Sequence, residues 1–278
     1  MSNIVIPAII AMATIGATLV AVWGILAWRR EHVGKRRIMK CKLCQLDKKL
    51  CRSHIIPESA YKPLYDNEHR CLQISNIKKK QPMLQIGLRE HLLCKECEEH
   101  LNKYDSYFAD LWYQNGKAPS NANKELISIN KIDYHRFKLF HMSVLWRAGV
   151  ASRKEFSTVD LGLHEEKLRK LILDDNPGDP NQYAVFGYFL TSPDNRQVYQ
   201  ALVVPPIKFE LDGMTGFCFV FGGCQWRYIL ASSIDIKQYP FIFQKDGSLH
   251  LLRVPIDQYN PVMNLIKERI KKGWKSRR

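Results

Sequence analysis

Two Cys-x-x-Cys pairs, Cys41-Lys42-Leu43-Cys44 and Cys94-Lys95-Glu96-Cys97, bracket the pentapeptide Ser53-His54-Ile55-Ile56-Pro57. Four thiolates from two tight turns can surround one Zn²⁺ tetrahedrally, and a fold stapled in this way can present a single imidazole to a substrate. Cys41, Cys44, Cys94 and Cys97 are therefore the expected ligands of a structural zinc, and His54 is the candidate general base. The other cysteines, Cys51, Cys71, Cys218 and Cys224, lack that spacing and read as buried thiols. A disulfide framework is not expected of a chain placed in a reducing compartment.

The elements that must position these groups can be read on either side. The second pair opens a helix over 98–111, where Leu101, Tyr104, Phe108 and Leu111 repeat at helical spacing. A Cys pair, a strand pair, then a second Cys pair at a helix start is a common plan for a small zinc module.

With its two Cys pairs, the His54-Ile55-Ile56-Pro57 box and Leu92-Leu93-Cys94-x-x-Cys97 opening a helix, the segment 38–112 resembles the HNH endonuclease superfamily. The resemblance implies a ββα-metal core within a treble-clef zinc finger, with His54 activating water for hydrolysis of a nucleic-acid phosphodiester, most readily DNA. It also implies a catalytic Mg²⁺ or Mn²⁺. Where the family carries Asp, Glu or His just before the base, this chain has Ser53. The helix that supplies the family's second ligand offers Glu98, Asn102 and Asp105, which share one face and are the candidate ligands of that cation. His100 points elsewhere on the helix. The competing expectation is a non-catalytic zinc module that docks nucleic acid or a protein partner, and a third is a purely structural subunit.

The chain carries 42 Lys and Arg against 27 Asp and Glu, a formal charge of +15. Such an excess favours polyanions, either nucleic acid or an anionic lipid leaflet. Residues 4–28 hold no charged side chain, and Arg29, Arg30, Lys35, Arg36 and Arg37 follow them. This pattern predicts a transmembrane helix with its N-terminus outside and the bulk of the chain cytoplasmic, in a single-pass protein of a bacterial inner membrane. A nuclease held there would meet foreign DNA on entry, so phage defence is the expected setting.

Beyond the zinc module, 115–123 is a polar, turn-rich connection. Helices are expected over 131–150 and 163–173, then strands over 183–191, 199–204, 207–211, 216–221, 226–230 and 249–254, with 242–243 ahead of the last. Turn signals at Asp212-Gly213, Gly222-Gly223 and Asp246-Gly247 separate them. A basic helix is expected over 261–278. Residues 174–181 are rich in Asp and Asn but lack the spacing and final Glu of a calcium loop. The scattered His69, His91, His135, His141, His164 and His250 read as surface or core residues, with His91 near enough to Cys94 to reach the zinc loop. The expected fold class is α+β, divided into a transmembrane anchor (1–30), a basic juxtamembrane segment (31–37), an HNH-like zinc module (38–114) and a C-terminal domain of helices and a mainly antiparallel sheet (124–278). No nucleophile or phosphate loop stands out in the last, which suggests a docking or sensing role for a protein partner.

Overall fold

The computed structural model describes residues 38–72, 83–85, 87–113, 119, 125–192 and 197–258. The first sheet has three strands in the order β1 (Ile38–Lys40), β2 (Asp47–His54) and β5 (Arg89–Cys94), all antiparallel, while β3 (Cys71–Leu72) and β4 (Met83–Leu84) form a separate pair. Helix α1 (Lys95–Trp112) leaves β5 directly. Cys94 is its N-cap residue with no side-chain cap bond, and Glu96 and Glu98 in its first turn complement the positive end of the helix dipole.

A second sheet of six strands follows, in the order β6 (Leu126–Ile129), β11 (Leu249–Pro255), β7 (Val185–Thr191), β10 (Cys224–Ile229), β9 (Met214–Phe221) and β8 (Val204–Leu211). Every pairing is antiparallel except β11 with β7. The β8–β9 and β9–β10 hairpins turn on Asp212-Gly213 and Gly222-Gly223, whose four residues all have positive φ, the conformation that two-residue hairpins of matching twist demand. A side chain at Gly222 would also strike the Trp112 indole, whose N–H donates to the Gly222 carbonyl at 2.8 Å.

Helix α2 (Tyr134–Val150) is capped by Asp133, which accepts from the Arg136 amide at 3.0 Å. An apolar stripe was the expectation, yet every residue from Phe137 to Ala148 is buried, because α2 packs against α1, the sheet and α3 (His164–Leu173) at once. Phe108 of α1 stacks on Phe140 of α2, with ring centroids 4.0 Å apart, and both meet Phe221 of the sheet. One apolar core consequently runs from Cys41 and Cys94 through α1 and α2 to Trp226 and Leu251.

The structure corrects the expected fold class in one respect. No helix among the described residues is long and apolar enough to cross a membrane: α1, at 18 residues, has a charged outer face, and α2 has 17 residues and carries Lys138 and Arg147. The described fold is α+β with no spanning helix, and residues 4–28, together with the terminal segment 261–278, lie outside the described residues. Two smaller expectations also change. Residues 199–203 and 242–243 are not strands, and β6 is an edge strand that the turn-rich composition before it concealed.

Candidate functional site

The four paired cysteines come together as the spacing requires. Their sulfurs all lie within 4.8 Å of one another, with Cys44 and Cys94 Sγ 3.8 Å apart, close to the roughly 3.8 Å edge of a tetrahedron with Zn–S bonds of about 2.3 Å. The first turn closes through Gln45 N–H to Cys41 O and Cys41 N–H to Leu46 O, both at 2.9 Å, with Gln45 in the left-handed region. The Cys94 amide donates to Cys41 Sγ at 3.3 Å, the usual support for a charged sulfur. A hydrogen bond from the Cys97 thiol holds Cys41 down to about 4 and pushes Cys97 itself upward. A cluster whose sulfurs compete for protons in this way is suited to exchanging them for a metal ion such as zinc. His91 stays outside it, exposed, with Nδ1 3.4 Å from the Leu50 carbonyl.

His54 ends β2. Ile55 and Ile56 drop into the core beside it, and Pro57, with φ −56° and ψ 150°, starts a 3-10 turn over Glu58–Ala60. The turn carries Glu58 back toward the strand, so that its Oε2 lies 2.5 Å from His54 Nε2. From β5, Arg89 pairs with His54 in register and donates Nε–H to the same Nε2 at 2.7 Å. Tyr65 donates to Glu58 Oε1 at 2.7 Å, and His69 Nε2 is 3.9 Å from that oxygen. Burial first, and then the Arg89 guanidinium, pull His54 down to about 4 against the opposing pull of Glu58. The imidazole is therefore uncharged at neutral pH.

The candidate cation ligands do not gather. Arg147 of α2 holds Asp105 through two bonds, Nη1 to Oδ2 at 2.9 Å and Nη2 to Oδ1 at 2.8 Å, and also donates to the His54 carbonyl at 3.1 Å. Asn102 is exposed. Glu98 accepts from the Ser53 hydroxyl, while burial raises its carboxyl above the ordinary value and leaves Oε1 without a hydrogen-bond partner. Ser53, 1 % exposed, also accepts the Leu93 amide at 3.2 Å, so it serves as a polar bridge between strand and helix. Among the described residues, the four cysteines form the one group of three or more His, Cys, Asp or Glu side chains placed to hold a metal ion. Glu98 and Asp105 belong to no second such group among the described residues.

The remaining histidines among the described residues have structural partners. His100 meets the Ile172 carbonyl at 2.8 Å, His135 the Asp175 carbonyl at 2.7 Å, His141 the Tyr228 hydroxyl at 2.9 Å, His164 the Tyr183 hydroxyl at 3.2 Å and His250 the Ser128 hydroxyl at 2.9 Å. Glu58 and Arg89 are the site residues that sequence reasoning passed over. The i,i+4 spacing of His54 and Glu58 was a visible signal, whereas Arg89 is brought in by strand pairing across 35 residues.

No protein-family model matches the chain, and neither a curated protein nor a solved structure matches it.

Proposed function

We propose that the chain is a zinc-stapled nuclease of the HNH kind, hydrolysing nucleic-acid phosphodiester bonds with His54 as general base. The observation that carries this reading is the placement of an uncharged imidazole at a strand end, between a carboxylate and a guanidinium, on the scaffold that Cys41, Cys44, Cys94 and Cys97 hold together. Zn²⁺ is the proposed occupant of that scaffold, since four thiolates on two Cys-x-x-Cys turns suit its tetrahedral preference. It takes no part in the reaction. His54 removes a proton from water as the oxygen attacks phosphorus. The P–O bond to the leaving sugar oxygen then breaks, and that oxygen takes its proton from solvent. A formal charge of +15 favours DNA or RNA as the polyanion.

One observation favours the alternative, a zinc module that binds nucleic acid without cutting it: the candidate cation ligands are dispersed, with Asp105 committed to Arg147. The full chain, loaded with zinc, should be incubated with plasmid DNA and with RNA in Mg²⁺, in Mn²⁺ and in EDTA, beside His54→Ala. Cleavage that the substitution abolishes supports the nuclease. Salt-sensitive binding without cleavage, equal in both proteins, supports the binding module.

A further inference from the structure

Nε2 of His54 has two suitors with opposite requirements. Arg89 Nε–H donates to it at 2.7 Å, which needs a bare nitrogen, whereas Glu58 Oε2 at 2.5 Å can bond it only through a proton on that nitrogen. With Nε2 bare, Glu58 Oε2 is buried without a hydrogen-bond donor. The choice between the two partners is a choice of tautomer of the neutral ring. With Arg89 engaged, the proton sits on Nδ1 and the ring's one lone pair is spent on a guanidinium. With Glu58 engaged, Nε2 carries the proton and Nδ1 presents a lone pair, with a carboxylate orienting the ring from behind. A general base needs the second arrangement.

Phosphate is the chemistry that would draw Arg89 away, because a guanidinium matches phosphate oxygens through paired N–H donors. The Arg89 side chain is 28 % exposed, and among the described residues Glu58 is the one carboxylate it pairs with, at a loose 3.7 Å. His54 faces Arg89 across the β2–β5 pair, and two residues along on the same face Arg52 faces His91. A polyanion crossing this face meets arginines from both strands. Of the other charged groups around the ring, Arg147 is tied to Asp105 and to backbone, and Tyr65 and His69 attend Glu58 Oε1.

We propose that Arg89 is a phosphate-responsive latch on His54: it caps Nε2 in the free protein, and a phosphodiester that engages it hands Nε2 to Glu58 and uncovers Nδ1 as the base. This deepens the hydrolytic reading, on which it rests, by naming the substrate group that arms the site.

The test reads the ring and not the reaction. The zinc-loaded full chain, labelled with ¹⁵N-histidine, is compared by NMR with Arg89→Met and Glu58→Ala, free, in excess inorganic phosphate, and with a short DNA duplex. Free wild type should show His54 protonated on Nδ1 and move to the Nε2–H tautomer with phosphate or duplex. Arg89→Met should hold Nε2–H throughout, and Glu58→Ala should fail to reach it. A wild-type ring that keeps its proton on Nδ1 in excess phosphate and duplex overturns the latch, as does an Arg89→Met ring that does so. A tautomer shift in a protein that cuts nothing supports the latch while the hydrolytic reading falls, and cleavage without the shift does the reverse.

Discussion

Arg147→Met separates two accounts of Asp105, cation ligand and ion-pair partner. Arg147 is 3 % exposed, and its guanidinium spends Nη1 and Nη2 on Asp105, Nη1 also on the His54 carbonyl and Nε on the Ser143 carbonyl at 3.2 Å. Methionine fills the space of the aliphatic stem and removes every donor. Breaking one side of a buried pair costs about 3–5 kcal/mol, because the partner charge is stranded. Asp105 is 19 % exposed, so water reaches the stranded carboxylate and the lower end, about 3 kcal/mol, is the expectation. In a chain of this size that corresponds to a fall in Tm on the order of 10 °C. Urea and thermal unfolding of the zinc-loaded protein measure it. Asp105→Asn alone should cost a similar amount, and the double variant little more than either, since both remove one interaction. An Arg147→Met protein within about 1 kcal/mol of wild type, or strictly additive losses, would refute the reasoning. If Asp105→Asn instead abolishes metal-dependent cleavage at unchanged stability, Asp105 serves a cation.

Two further outcomes follow from buried groups. Lys138 is fully buried, donates to the Gln182 and Tyr183 carbonyls at 2.8 Å each, and is drawn by desolvation from 10.5 to about 7. Between about pH 7 and 10.5 the unfolded chain keeps a proton that the folded chain has released, so this group makes stability rise with pH over that window. Relative to Lys138→Met, wild type should gain about 2 kcal/mol from pH 7 to pH 9, read from urea midpoints, and a difference that stays constant sinks the argument. Cys94→Ser removes a metal ligand and the N-cap residue of α1 together. Zinc content should drop well below one equivalent and far-UV ellipticity should fall, whereas a serine variant that retains its zinc through dialysis against chelator would contradict the four-sulfur site.

What the sequence disclosed is what local spacing encodes. The first Cys-x-x-Cys pair lies in the turn between β1 and β2 and the second spans the junction of β5 and α1, where the short spacing lets both sulfurs of each pair reach one centre. Asp212-Gly213 and Gly222-Gly223 announced their hairpins because few other residues accept positive φ at both central positions. The stripe Leu101, Tyr104, Phe108 recorded the buried face of α1. The rest depends on partners distant in the chain. Nothing near Asp105 tells that Arg147, 42 residues on, will occupy it, and nothing near Ser53 tells that its hydroxyl will join Glu98 to the Leu93 amide. The uncharged run of 4–28 invited a membrane reading that composition alone could not check against the fold.

The backbone at His54 is set by groups outside the four-cysteine cluster. The four sulfurs order the turn at Cys41–Cys44 and the start of α1, but the peptide carrying His54 is fixed from elsewhere: Arg147 of α2 bonds its carbonyl, and Ile55 and Ile56 bury next to it. Arg169 of α3 likewise bonds the carbonyl of Leu43 inside the first Cys turn, and Trp112 at the end of α1 is tied to Gly222 of the six-stranded sheet. Each of these bonds runs from a side chain to a backbone oxygen, which sets position without depending on the side chain it holds. The four-cysteine cluster therefore adjoins the start of the helix, and the later half of the chain fixes the backbone at His54. On the proposed reading, a substitution in α2 should impair His54 without touching metal, substrate or the imidazole itself.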